Sequence, residues 1–323
     1  MPTPRSQLIS LDDTPWYHCI SRCVRRAWLC GFDKETGTDY EYRREWIVDR
    51  LELLSHAFSI EIAAFAVMSN HHHVVLRVDA ESPKQWSLEE TVRRWHTVYN
   101  GNFLSQRFMS GQALSNAEMR VLERDAAVWK ERLISISWFM RALNEPIARA
   151  ANAEDNCTGK FFEARFKSQA LLDEKAILAA MAYVDLNPIR AQLAETPENS
   201  EYTSIKSRVD NLNTKNPDTF LAPFTGNEKG AATAGVPYHL SDYLELVDWT
   251  GRAVRDNQSG SINASLPPIL NRLGLTPSDW LMFATQVESL FGNWVGSPSQ
   301  FAAASKSVGQ KWICACEGSW RFF

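Results

Sequence analysis

The alternation of apolar and small or polar residues over 60–78, IEIAAFAVMSNHHHVVLRV, predicts two β-strands, or one long strand interrupted near Ser69 and Asn70. Residues 16–30 read as a strand with Trp16, His18 and Ile20 on one face, a polar kink and a second extended piece. The period lengthens elsewhere. Over 40–58 the apolar groups Trp46, Ile47, Leu51, Leu54 and Phe58 recur at helical spacing. Ser87 with Glu90 three residues later has the capping-box pattern and opens a helix bearing Val92, Trp95, Val98 and Tyr99, so 81–131 is predicted to be mostly helical with a break at Ser110 and Gly111. Residues 134–151 make another amphipathic helix, in which Pro146 predicts a kink or a fresh start near Asn144. A glycine turn and a strand are predicted over 159–169. A helix with an acidic start, an alanine-rich body and a stop at Pro188 is predicted over 173–188.

Beyond residue 210 the character changes. Residues 211–239 open on a stretch rich in Asn, Thr, Gly and Pro and read as a linker. A helix behind a Ser241 cap over 240–255, a segment over 266–273, a helix from Thr276 and Pro277 to about Phe291, and an aromatic end at 312–323 make a mainly helical module. The division predicted is 1–210, 211–239 and 240–323. Helices on either side of Leu273-Gly274-Leu275 fit a helix-turn-helix that reads duplex DNA. A packing or dimerising module fits as well, because residues 211–323 carry eight Lys or Arg against nine Asp or Glu.

Composition narrows the function classes. With 323 residues, 45% hydrophobic and including 12 Trp and 16 Phe, the chain can bury a large core. No apolar run is long enough to span a bilayer, and the first residues lack the basic-then-apolar plan of a signal peptide, so a cytoplasmic protein with no membrane partner is expected. Six cysteines give no disulfide framework, and Cys314 and Cys316 are too close and solitary for a zinc knuckle. A net charge of -4 argues against coating duplex nucleic acid by bulk electrostatics. Any nucleic-acid site must be local. The local basic groups are Arg22, Arg25, Arg26, Arg93, Arg94, Arg165, Lys167 and Arg190, each of which taken alone reads equally as a solvated surface charge.

The candidate chemistry sits at the histidine cluster. On a strand, His71 and His73 share a face and His72 points the other way. Two imidazoles fixed by one backbone supply half of a divalent-metal site and need a third ligand from elsewhere. His18, on an aromatic-rich strand, reads as a packed, hydrogen-bonded histidine before it reads as a ligand. On the 173–188 helix, Ala176, Ala180, Tyr183 and Asn187 form one stripe, so Asn187 can offer its amide oxygen to whatever Tyr183 faces. Arg165 and Lys167 fall on one face of the strand predicted before that helix, where they suit a nucleic-acid backbone. Trp95, Trp138, Phe161 and Phe162 are candidates for base stacking and equally for the core.

Asn70-His71-His72-His73, Arg165-Phe166-Lys167-Ser168 and Tyr183-Val184-Asp185-Leu186-Asn187-Pro188-Ile189-Arg190-Ala191, taken together, resemble the HUH single-tyrosine transposase family, in the branch associated with repetitive extragenic palindromes. The resemblance covers roughly residues 14–208. His72 occupies a position that is usually aliphatic in that family. The resemblance implies an α+β fold, a ferredoxin-like antiparallel sheet with helices on one side. It also implies a DNA-nicking and strand-transfer enzyme acting on single-stranded or hairpin DNA, as a monomer or homodimer. By the same match Tyr183 is the nucleophile that forms a 5′-phosphotyrosine, and His71, His73 and Asn187 hold Mg²⁺ or Mn²⁺. Arg165, Lys167 and Arg190 are the DNA-binding candidates. The alternative is a domesticated, non-catalytic hairpin-DNA-binding regulator. A zinc hydrolase built on the histidines is a third reading and needs a further His, Cys or carboxylate.

Overall fold

The central strands are buried along almost their whole length, so their alternating side chains fill two covered sheet faces. The computed structural model describes residues 4–24, 29–34, 37–212, 214, 219–226, 235–255, 268–309 and 317–323. β1 (Trp16–Arg22) precedes a small ribbon of β2 (Phe32–Asp33) and β3 (Thr38–Asp39), then α1 (Arg43–Ala57). β4 (Ile60–Val67) and β5 (His71–Val78) form the antiparallel hairpin that the interruption near Ser69 predicts. A register shift between Ile62 and Ala64 turns the strand over, so Ile60 and Ile62 share a core with Phe65 and Val67 while Ala64 and Ala66 face the other side. β6 (Lys167–Leu171) pairs antiparallel with β1, and β7 (Trp294–Val295) adds in parallel to β6. The sheet order is β4-β5-β1-β6-β7.

Between β5 and β6 lie α2 (Leu88–Val98), α3 (Phe103–Met109), α4 (Asn116–Leu133) and α5 (Ile136–Glu154). Strand, helix, two strands, helix and strand in this order make the split β-α-β arrangement of a ferredoxin-like core. One face buries Tyr17, Val74, Leu76 and Val78 with Ile47 and Leu51 of α1 and Phe139 and Leu143 of α5. Trp16, Ala66 and Val75 line the opposite face. It is covered by α6 (Glu174–Asp185), α7 (Asn187–Arg190), α8 (Ser204–Leu212), α9 (Leu240–Arg255), α10 (Pro268–Leu273), α11 (Pro277–Leu290) and α13 (Glu317–Phe322), while α12 (Pro298–Ser307) packs Phe301 and Ala304 into the first core. The protein is therefore α+β, with the two core helices on one side of the sheet and a second helical layer on the other. No helix among the described residues is long and apolar enough to cross a membrane.

Several caps form as the residues predict. Ser87 accepts from the Glu90 amide, Asp173 from Ala176 and Thr276 from Asp279. Four local expectations are corrected. α5 runs unbroken through Pro146 instead of restarting near Asn144. Proline cannot donate to the carbonyl four residues back, that of Ala142, and Arg50 of α1 supplies the missing donor through Nε at 2.8 Å. The predicted 159–169 strand begins only at Lys167, since before it Phe162 makes just an isolated bridge to Cys23. The 173–188 helix breaks at Leu186, and Pro188 sits in the first turn of α7, where a missing N–H costs nothing. α9 starts at Leu240, so Ser241 lies inside it rather than capping it. Arg25, Arg26, Cys314 and Cys316 lie outside the described residues.

Candidate active site

Strand register gathers the site. On β1, His18 stands opposite Gln169 of β6 and one diagonal step from His73 of β5, so the three side chains share the sheet face that α6 covers. His71, two residues before His73, joins them, with ring centroids 4.8 Å apart. His72 points to the other face, against Phe162. The sequence reading of the three histidines by period two and the structure agree on these directions.

The hydrogen bonds assign each ring's tautomer. Gln169 donates its amide to the carbonyls of Gly292 at 2.8 Å and Phe291 at 3.3 Å, which turns its Oε1 toward His18 Nδ1 at 2.9 Å. His18 therefore donates from Nδ1, and its Nε2 accepts from His73 Nδ1 at 3.0 Å. The His73 Nε2 lone pair is left to receive the Asn187 amide N–H at 2.9 Å. His71 donates from Nδ1 to Asn70 Oδ1 at 2.6 Å, so its lone pair is also on Nε2. Burial pushes the His71 pKa down to about 4 and that of His73 well below the usual imidazole value. Both rings are neutral at neutral pH, the form that can ligate a metal.

Tyr183, on the stripe of α6 that faces the sheet, lies 5.7 Å from the His73 ring and 6.0 Å from the His18 ring, centroid to centroid. Its hydroxyl donates to Glu288 Oε1 of α11 at 2.8 Å. Burial first, and then the Glu288 charge, push its pKa up to about 12. The Arg190 guanidinium lies 4.3 Å from the Tyr183 ring centroid, and its Nη1 is buried with no hydrogen-bond partner. An orphaned buried donor of this kind suits an anionic acceptor such as a phosphate oxygen.

The structure thus brings His71, His73, Tyr183, Asn187 and Arg190 together. Arg165 and Lys167 are both exposed and do not share a strand face as predicted. The ladder starts at Lys167, so the two-residue alternation never reaches Arg165. Lys167 stands opposite Ile20, on the His18 side of the sheet. Arg165 lines a cavity of about 440 Å³ with Arg5 and Asn144 of α5. Trp95 stacks on Trp129 with centroids 5.4 Å apart, and Trp95 and Phe161 are buried in the core. Gln169 and Glu288 are functional neighbours that sequence reasoning missed. Gln169 carried a weak signal, a polar residue one register step from apolar strand positions. Glu288 is 105 residues from Tyr183 and carried none.

Among the described residues no cluster of three or more His, Cys, Asp or Glu is arranged to hold a metal ion. The donor set at hand is two imidazole lone pairs and one amide. Asn187 presents nitrogen to His73 in this arrangement, and reversal of its amide brings Oδ1 to the same place. Two imidazoles and an amide oxygen fit Mn²⁺ or Mg²⁺, with remaining positions left to water or phosphate.

No family model matches the chain, and neither does any curated protein. Among solved structures it is similar to a REP-associated tyrosine transposase bound to a REP hairpin, at 11% sequence identity over 69% of this chain and 91% of that one, with a TM-score of 0.36. A likeness this distant carries no argument about chemistry, which rests on the residues described above.

Proposed function

We propose that the protein is a metal-dependent single-stranded DNA endonuclease and transesterase, a transposase-type enzyme that cleaves near hairpin or palindromic repeats and rejoins the ends. One observation carries the reading: the Tyr183 ring packs edge-on against His73, which neighbours His71 and takes Asn187, and the Arg190 guanidinium lies over the tyrosine ring with its Nη1 lacking a hydrogen-bond partner. A divalent cation held by His71, His73 and Asn187 would offset the charge of the scissile phosphate and orient it. Arg190 supplies a fixed positive charge and an unused donor for a phosphate oxygen. Tyr183 attacks phosphorus, the bond to the 3′ oxygen breaks, and the products are a 3′-hydroxyl and a 5′-phosphotyrosine. Since water is not consumed, the ester is conserved and the reverse attack reseals DNA. Lys167, exposed on the same sheet face, and Arg165 beside its cavity are proposed backbone contacts.

The alternative, a non-catalytic hairpin-binding regulator, draws on the near-complete burial of Tyr183, which is 6% exposed. A denaturing gel separates the two. Labelled oligonucleotides covering both strands of the DNA that flanks the gene, incubated with Mn²⁺, should yield a covalent adduct that EDTA abolishes. Tight hairpin binding with no adduct under any metal refutes the enzyme and leaves the regulator.

A further inference from the structure

We propose that Glu288, delivered by α11, is the general base that takes the phenolic proton of Tyr183 during strand cleavage and returns it on rejoining; this rests on the transesterase reading above. The contact is direct, Tyr183 Oη donating to Glu288 Oε1 at 2.8 Å, while the same carboxylate oxygen lies 3.8 Å from His73 Nδ1. A neutral phenol is a poor nucleophile, so an acceptor for its proton must be in hydrogen-bond reach when the bond to phosphorus forms. Among the described residues, Glu288 is the carboxylate hydrogen-bonded to that hydroxyl.

The segment around Glu288 is fixed to the site at both ends. Gln286, two residues earlier, departs from helical geometry (φ −131°, ψ 23°), which divides α11 just before the glutamate. Immediately after the helix, the Phe291 and Gly292 carbonyls take both amide hydrogens of Gln169, the residue that fixes His18. Trp280, Phe283 and Val287 are fully buried in the core that also contains α6. The C-terminal residues therefore hold a carboxylate on the tyrosine and orient the histidine relay through one short segment.

The step balances. The proton passes from Tyr183 Oη to Glu288, the Oη–P bond forms as the P–O3′ bond breaks, and the departing 3′ oxygen takes a proton from water. In resealing, the 3′-hydroxyl gives up its proton to water and attacks phosphorus, and the Tyr183 oxygen leaves with the proton that Glu288 returns.

The test uses the full chain with Mn²⁺ and the gene-flanking oligonucleotides, reading the rate of covalent adduct formation and, separately, hairpin binding. Glu288→Gln should slow adduct formation by about a hundred- to ten-thousandfold with hairpin affinity unchanged. Glu288→Ala should be slowed similarly and regain rate on addition of formate or acetate, because the Glu288 side chain is 28% exposed and a small carboxylate can reach the gap. Rescue by an added base is not something a merely structural defect would allow. Adduct formation by either variant at or above the wild-type rate overturns the proposal and makes Glu288 a cap on the resting tyrosine. Slow variants that no carboxylate rescues overturn it as well. Absence of adduct from the wild-type chain is a different failure, that of the transesterase reading itself.

Discussion

Replacing His72 with leucine should stabilise the protein. His72 is fully buried, and neither ring nitrogen has a hydrogen-bond partner. Its neighbours are a Phe162 ring with its centroid 5.9 Å away and the strand partners Ser21 and Val67. A buried polar group left unsatisfied costs about 1–3 kcal/mol, and leucine fills similar space without that cost, so a gain of about 1–3 kcal/mol at pH 7 follows. Acid should enlarge it. Burial pushes the His72 pKa down to about 3 in the folded protein, against about 6.5 when unfolded. Between those values the unfolded chain binds a proton that the native chain refuses, so the wild type loses stability as pH falls below about 6.5. The loss approaches about 1.4 kcal/mol per pH unit for this one group. The leucine variant lacks that loss, and its advantage should widen by about 2 kcal/mol between pH 7 and pH 5. Urea denaturation followed by tryptophan fluorescence in EDTA, at both pH values, measures it. A variant less stable than wild type at pH 7, or an advantage that does not grow on acidification, refutes the reasoning.

Further consequences follow from the same contacts. His18→Phe removes the acceptor that fixes the His73 tautomer, and Mn²⁺ affinity measured by calorimetry should fall about 10–100-fold; unchanged affinity contradicts the relay. Arg50→Ala strips the Ala142 carbonyl of its donor and should cost about 1–3 kcal/mol by urea titration, whereas in a Pro146→Ala background, which restores an amide donor, the cost should shrink. Arg190→Ala should weaken binding of single-stranded oligonucleotide and flatten its salt dependence by about one unit of slope, with the fold unchanged by circular dichroism.

Period and caps made much of the fold legible in the sequence. The β4–β5 hairpin, the α2 start at Ser87 and the α11 start at Thr276 are local events, set by side chains within a few residues of one another. The opposite orientations of His72 and its two neighbours followed from the strand period alone. Where the sequence reading failed, a distant partner decided the outcome. Arg50 lets α5 pass through Pro146. The strand predicted from residue 159 starts late because only Lys167 and its successors pair with β1 in a continuous ladder. The site divides in the same way. His71, His73, Tyr183 and Asn187 were visible as stripes on single elements, and His18 as a packed, hydrogen-bonded residue. Gln169 and Glu288 enter through tertiary contacts of β6 and α11: the weak strand signal at Gln169 says nothing of its partners, and Glu288 has no local signal.

The central claim is that Tyr183 becomes covalently joined to DNA. The most direct measurement is mass spectrometry of the Mn²⁺-dependent adduct after nuclease and protease digestion, run beside Tyr183→Phe. The account predicts a nucleotide attached through its 5′ phosphate to the peptide containing Tyr183, and none from the phenylalanine variant. Cleavage that persists in Tyr183→Phe, or an adduct on any other residue, contradicts it.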